Sequence, residues 1–176
     1  MAGFSSEEIK AAAVQVRWGD KPVCPRCDAP IKKEVLMAGG ICNRCHNRAS
    51  VFHGTLFKNA RKPLWPLFVI TTYQKGYHPH LRYMSKFLKK KRKPLLANMF
   101  DIPYNVVDRW CSKFPKPGGY FNRTHLLTIA LAMDTIDVLK GRTHQGRFKK
   151  CLESGRDSMV ASKPGEDSHP RIFSGQ

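Results

Sequence analysis

Two Cys-x-x-Cys pairs near the start of the chain constrain its fold more than any other feature. The first pair is Cys24 and Cys27, the second is Cys42 and Cys45, and fourteen residues separate them. Each pair places two sulfurs on one side of a tight loop, and two such loops supply the four thiolates of a tetrahedral zinc site. Basic residues surround the pairs and favour the thiolate form of the cysteines: Arg26, Lys32, Lys33, Arg44 and Arg48. We therefore predict one structural Zn²⁺ held by these four cysteines.

Two disulfides in a secreted domain are the alternative use of the four cysteines. The segment Met1–Glu8 carries acids and lacks an apolar stretch, so we do not expect it to be a secretory signal. Disulfide scaffolds seldom consist of two local Cys-x-x-Cys turns, and a thioredoxin-like redox motif needs a single pair beside a βαβ pattern. No apolar run approaches the roughly 18 residues of a membrane span. We therefore expect a protein of the cytoplasm, associated with the nucleoid if bacterial, and not secreted.

The segment around the cysteines predicts a zinc ribbon. Residues 31–36 can form a strand, the Gly39-Gly40 pair a turn, and residues 50–52 a further short strand. A helix is predicted over residues 7–17, capped by Ser5 or Ser6, and is expected to pack on the ribbon. The first predicted unit, residues 1–57, is this N-terminal helix with the zinc ribbon.

The remainder of the chain is predicted to be all-α. Residues 58–114 are expected to form a helical DNA-binding region, and residues 115–141 a Pro/Gly linker followed by an apolar helix. That helix, over about residues 124–140, either closes the helical core or forms a homodimer seam. Residues 142–176 lack hydrophobic periodicity and are predicted to be a disordered basic tail.

The positive charge of the chain is large and unevenly distributed. There are 31 Lys and Arg against 13 Asp and Glu, giving a formal charge of +18. Between Glu34 and Asp101 there is no carboxylate, but there are thirteen Lys or Arg and four His. Such a block is expected of a polyanion-binding protein. An anionic membrane is disfavoured because no amphipathic helix accompanies the basic run, and a surface kept basic for solubility is disfavoured because acids serve solubility better. We predict phosphate contacts from Arg44, Arg48, Lys86, Lys89, Lys90, Lys91, Arg92 and Lys93.

The basic run at residues 89–93 leads into a helix-turn-helix pattern, which favours a nucleic-acid contact over the alternative of a nuclear localisation signal. The pattern comprises a helix at 94–100, a turn at 101–103 and a second helix at 104–113. In helix-turn-helix proteins the second helix enters the major groove, where Asn pairs with adenine and Arg with guanine. An ordinary helical hairpin is the alternative. The predicted contacts are Tyr104, Asn105, Arg109, Ser112 and Lys113.

The order of these motifs resembles the N-terminal region of zinc-ribbon-bearing insertion-sequence transposases. The resemblance rests on the two cysteine pairs, on the segment Ser50–Phe57 and on Arg61–Leu64 followed by a helix that ends at Gly76. It covers roughly residues 18–114. In that family a zinc ribbon is followed by a helix-turn-helix and then by a DDE-type nuclease domain, so the resemblance implies recognition of duplex DNA.

The nuclease domain of that family is not evident in this sequence. Two-metal phosphoryl transfer needs several carboxylates converging on metals about 4 Å apart, but only 62 residues follow Phe114 and they show no alternating strand pattern. Asp134 and Asp137 are interpreted as solvated or helix-end charges. We therefore predict a non-enzymatic, zinc-stabilised protein that binds double-stranded DNA, as a transcriptional regulator or a recognition protein derived from a mobile element or phage. The alternatives are RNA or ribonucleoprotein binding, an adaptor for transcription or recombination machinery and, least favoured, a competent transposase or nuclease.

Overall fold

Seven α-helices and one 3₁₀ helix make up the regular structure of the described residues. The structure, a computed structural model, describes residues 3–60, 64–73, 86–115, 121–143 and 146–160, with the side chains at 59, 73, 86–92 and 155–160 left aside. The helices are α1 (Ser6–Trp18), α2 (Lys33–Ala38), the 3₁₀ helix (Leu56–Asn59), α3 (Leu64–Tyr73), α4 (Lys86–Phe100), α5 (Tyr104–Cys111), α6 (Arg123–Leu139) and α7 (Arg147–Val160).

Capping boxes begin two of the longer helices. At α1, Ser5 Oγ accepts the backbone N–H of Glu8 at 3.2 Å, and the Glu8 carboxylate accepts the N–H of Ser5 at 2.7 Å. The same reciprocal pair begins α6, where Asn122 Oδ1 accepts from His125 N at 3.1 Å and His125 Nδ1 accepts from Asn122 N at 3.3 Å. The predicted N-terminal helix and its cap are therefore confirmed, with Ser5 as the capping residue.

Helix α6 forms the centre of the helical core. It packs against α1, α3 and α7. Residues around much of its circumference are buried, among them Thr128, Leu131 and Ala132, each with no exposed surface. Of the two roles predicted for this apolar helix, the structure therefore gives it the role of closing the core.

An aromatic stack joins the chain after the cysteines to the helices. The ring of Phe57 stacks on Phe68 of α3 with centroids 4.1 Å apart and on Trp110 of α5 with centroids 5.3 Å apart. The Trp110 indole donates to Thr71 Oγ1 at 3.0 Å, which satisfies its buried N–H. The N-terminal third of the chain is thus packed on the helical core through the segment that follows the cysteines.

The predicted β-hairpin between the cysteine pairs is wrong. Helix α2 occupies this segment, and the only β pairing among the described residues is two isolated antiparallel bridges, Val23 with Pro30 and Ile41 with Arg48. Leu36 on α2 is fully buried against the cysteines and Ala49, and Gly39 ends the helix with a left-handed φ of 69°. Burial of Leu36 on one helical face therefore outweighs the weak alternation of residues 31–36. Residues 50–52 are also not a strand, because Ser50 and the residues after it turn instead.

The prediction of a disordered tail is wrong for residues 147–160, which form α7. Phe148 of this helix has 1% of its surface exposed and lies in the main hydrophobic cluster. The prediction for residues 161–176 lies outside the described part of the chain. The hydrophobic periodicity of this segment is too weak to predict α7, because the helix is held in place by one aromatic side chain and by an ion pair with a buried carboxylate.

Helix α4 also differs from the prediction at its start. It begins at Lys86 and continues through Pro94, so the basic run is helical and Pro94 lies inside the helix rather than at its first position. The helix that the resemblance places after Arg61–Leu64 corresponds to α3, and its expected end at Gly76 lies outside the described residues.

Candidate metal centre and cationic surfaces

Each Cys-x-x-Cys pair lies in a knuckle, which we call the first knuckle (residues 23–30) and the second knuckle (residues 41–48). In the first knuckle, Cys24 N donates to Ala29 O at 2.8 Å and Asp28 N donates to Cys24 O at 3.0 Å. The second knuckle repeats both bonds eighteen residues later: Cys42 N to Asn47 O at 3.0 Å and His46 N to Cys42 O at 2.9 Å. Asp28 and His46 occupy the same left-handed conformation, with φ of 55° and 54°. The two halves of the site are therefore built alike.

The four sulfurs have the spacing of a tetrahedral metal site. All four Sγ atoms lie within 4.8 Å of one another. The Cys24–Cys45 and Cys27–Cys42 sulfurs, which pair across the two knuckles, are each 3.8 Å apart. A tetrahedron with zinc–sulfur bonds of about 2.3 Å has edges of roughly 3.8 Å. These four side chains can therefore hold a single metal ion, and no disulfide joins any of the six cysteines.

The electrostatics of the cluster also fit a cation. The backbone N–H of Asn47, followed by smaller contributions that include the neighbouring sulfurs, lowers the pKa of Cys45 to about 6. The N–H of Ala29 favours the Cys27 thiolate, but burial and the three neighbouring sulfurs outweigh it and raise the pKa of Cys27 to about 12. Four adjacent sulfurs therefore cannot all ionise unless a positive charge lies among them. A metal ion bound among the four sulfurs would supply that charge.

Arg17 connects the chain after the knuckles to the helical core. Its Nη1 donates to Val51 O at 2.7 Å and to His53 O at 2.8 Å, and its guanidinium lies over the rings of Trp18 and Phe148 at 4.6 and 4.9 Å. Burial lowers the pKa of Arg17 to about 10, and no carboxylate pairs with it among the described residues. Sequence analysis missed this residue, because an arginine at a helix end gives no signal that its guanidinium will be buried.

The second predicted site lies on α5 and the two residues that follow it. A three-residue turn at 101–103 joins α4 to α5, and Asp101 adopts a left-handed φ of 49° there. Leu96, Ala97, Val107 and Trp110 form the buried contact between the helices and the core. The opposite side of α5 is the α5 face, and all five of its predicted contact residues are exposed: Tyr104, Asn105, Arg109, Ser112 and Lys113.

Two contacts define the charge of the α5 face. Asp108 accepts from Lys93 Nζ at 2.6 Å, and this hydrogen bond raises the pKa of Lys93. Lys113 Nζ lies over the Trp110 ring at 4.7 Å from its centroid. Lys93 thus pairs with the carboxylate of Asp108, while the cationic side chains of Arg109 and Lys113 lie on the exposed side.

The other predicted phosphate contacts divide into two groups. Arg44 and Arg48 are exposed on the second knuckle. Lys86 and the run Lys89–Arg92 lie on α4, but their side chains are outside the described ones. The structure therefore places exposed cations on two separate elements, the second knuckle and the α5 face.

The interpretation of Asp134 and Asp137 as solvated or helix-end charges is wrong for Asp134, whereas Asp137 does lie near the end of α6 and is paired with an arginine. Asp134 has no exposed surface and accepts from Arg147 Nη1 at 3.0 Å and from the Phe148 N–H at 2.9 Å. Arg147 Nη1 also donates to Asp137 Oδ2 at 2.8 Å. These carboxylates fix the start of α7 on α6, and both are committed to an arginine rather than presented to solvent.

Comparison of the chain with protein-family models, with curated proteins and with solved structures finds no match in any of the three. Among the described residues, no helix combines the length and apolarity needed to cross a bilayer. The site is therefore defined by its own geometry: a four-cysteine cluster that suits one metal ion and two exposed cationic surfaces.

Proposed function

We propose that this chain is a non-enzymatic DNA-binding protein stabilised by one structural zinc ion, and that the α5 face enters the major groove. The observation that carries the proposal is the face itself. Asn105 and Arg109, whose side chains suit adenine and guanine edges, are both exposed on one short helix that follows a tight turn.

The charge around α5 supports the same function. Phosphates repel an unpaired carboxylate, but Asp108 is occupied by Lys93 at 2.6 Å. The chain carries a formal charge of +18, and the segment between Glu34 and Asp101 contains no acid. An affinity dominated by phosphate contacts, which decreases steeply with added salt, is expected of such a protein.

Two further arguments concern the class of DNA-binding protein. The resemblance to the N-terminal region of zinc-ribbon transposases favours a regulator or a recognition protein derived from a mobile element. The non-enzymatic part of the proposal is supported by the state of Asp134 and Asp137, because an arginine that binds both carboxylates competes with the two metals of a nuclease.

Replacing Arg109 by Ala is expected to relax base preference at one position of the bound site. A bidentate arginine–guanine pair contributes about 1–3 kcal/mol of discrimination.

Replacing Lys90 by Gln is expected to weaken the binding of all DNA sequences alike and to reduce the slope of log affinity against log salt by about 0.9. Sequencing of duplex fragments retained at moderate salt, followed by fluorescence anisotropy on the selected site, measures both effects.

Lys149→Gln, an exposed cation on α7, is the matched control and should leave both quantities unchanged. Identical effects of the Arg109 and Lys90 substitutions would contradict the assignment of α5 as the reading helix. Tighter binding of single-stranded RNA than of duplex in the same assay would favour the RNA-binding alternative. Retention of a protein partner after neutralising residues 89–93 would favour the adaptor alternative.

A further inference from the structure

The two knuckles have the same backbone but different surfaces. Each is closed by one antiparallel bridge, Val23 with Pro30 in the first and Ile41 with Arg48 in the second. The equivalent residues are eighteen positions apart, so Ile41 replaces Val23 and Arg48 replaces Pro30. The backbone that presents the cysteines is therefore the same in both knuckles, and binding of a metal does not require the differences between their surfaces.

The differences make the second knuckle both apolar and cationic at its surface. Ile41 is 60% exposed, the largest exposure among the large hydrophobic residues of the described chain, whereas Val23 is half-buried. Residues that face each other across an antiparallel bridge point to the same side, so the Ile41 and Arg48 side chains lie next to each other.

The second knuckle also carries no carboxylate. Asp28 of the first knuckle is replaced by His46, and the exposed side chains of the second include Arg44 and Arg48 but no carboxylate. Arg26 of the first knuckle reaches across and donates to Asn47 Oδ1 at 3.1 Å, which adds a third cation to this side. An acidic partner is therefore favoured, and its surface must offer an apolar strip between its charges.

Duplex DNA has this arrangement, because each groove presents sugars and base edges between two rows of phosphates. We propose that the second knuckle is a second DNA-contacting surface, in which Arg44 and Arg48 bind phosphates and Ile41 packs against the sugars and base edges of the groove. This inference rests on the proposed DNA-binding function and adds to it a contact that is independent of α5. The first knuckle is then the structural half of the metal site.

The experiment compares two variants of the second knuckle with two control substitutions, one in the first knuckle and one beside it. The double variant Arg44→Gln/Arg48→Gln should reduce the slope of log affinity against log salt by about 1.8, two contacts of about 0.9 each. Ile41→Ala should weaken binding about fivefold while leaving the slope unchanged, because the lost contact is apolar. Lys21→Gln, an exposed cation beside the first knuckle, and Val23→Ala should change neither quantity. Measured zinc content and thermal unfolding establish that each variant is folded.

The outcomes separate this inference from the function on which it rests. Wild-type affinity and slope in all second-knuckle variants, with base preference still lost in Arg109→Ala, would overturn the inference and leave the proposed function standing. Equal effects from the first-knuckle controls would also overturn it, because the charge would then act without a defined surface. A wild-type protein that does not bind duplex at physiological salt would overturn both. Second-knuckle variants that affect only the binding of RNA or of an acidic protein would overturn the inference alone.

Discussion

Arg17 is a buried cation whose hydrogen bonds go to main-chain carbonyls instead of to an acid. Its two bonds fix Val51 and His53, the residues that connect the second knuckle to the aromatic stack. Its Nε is buried and has no hydrogen-bond partner among the described residues. The guanidinium lies over two aromatic rings and has few alternative positions, because it is planar. It therefore fixes the orientation of the chain at Val51 and His53.

Replacing Arg17 by Met is expected to lower the free energy of unfolding by about 2–4 kcal/mol. Methionine fills the space but leaves the carbonyls of Val51 and His53 without their donor. Urea unfolding followed by tryptophan fluorescence measures the loss. Lys10→Met in the same helix is the control; Lys10 pairs with Glu7 on the surface and should cost less than about 1 kcal/mol. Equal costs at the two positions would contradict a special role for Arg17.

Residue-level prediction from the sequence succeeded where the partners are local. The two cysteines of each pair are brought together by a local turn, so the Cys-x-x-Cys spacing was sufficient to indicate the site. The exposure of Asn105 and Arg109 followed from helical periodicity within α5. The burial of Asp134 did not follow, because its partner Arg147 is thirteen residues away and reaches it only after α7 has packed on α6.

At the scale of elements, α7 is attached to α6 by a compact polar anchor. Asp134 accepts both the Arg147 guanidinium and the backbone N–H of Phe148, close to the start of α7. A carboxylate at this position satisfies a helix N–H that has no partner within the helix. The anchor therefore serves both as an ion pair and as a cap supplied from another helix.

Replacing Arg147 by Met is expected to destabilise the protein by about 3–5 kcal/mol, because Asp134 then remains buried with an uncompensated charge. The change should appear as faster proteolysis within α7 as well as lower stability to urea. Arg142→Met, at an exposed position in the preceding turn, is the matched control and should be near neutral. A variant at position 147 that resists protease like the wild type would show that Phe148 alone holds the helix.

Helix α2 shows why the connection between the knuckles was not predictable. Either a hairpin or a short helix can join two knuckles, and the choice depends on where Leu36 can be buried. In the structure it packs against Cys24, Cys42 and Ala49, contacts that exist only once both knuckles have come together. Local alternation favoured a strand, and packing of this one side chain favoured the helix.

At the scale of the whole molecule, the chain has two cores of unequal size. The larger one contains the aromatic stack and α6, and the smaller one contains Leu36, Ala49 and two of the cysteines. So small a set of apolar side chains cannot offset the conformational entropy of ordering residues 22–50. We therefore expect the stability of this segment to depend on a bound metal ion.

Cys24→Ser and Cys42→Ser are expected to release zinc and unfold residues 22–50, while α6 keeps its protection. Hydrogen exchange read by mass spectrometry, before and after a strong chelator is added to the wild type, should show the same pattern. Cys151→Ser, outside the cluster, is the control and should keep one equivalent of zinc. Full protection of residues 22–50 in a metal-free variant would refute the structural role of the ion.

The central position of α6 has a consequence during synthesis on the ribosome. Helices α1 and α3 both pack on α6, which begins only at Arg123. A nascent chain that has not yet exposed this segment holds α1 and α3 without the helix on which they pack, so the helical core cannot close early. The hydrophobic cluster around the cysteines contains no residue beyond Ala49, so metal binding by the knuckles would be able to precede core formation by some seventy codons.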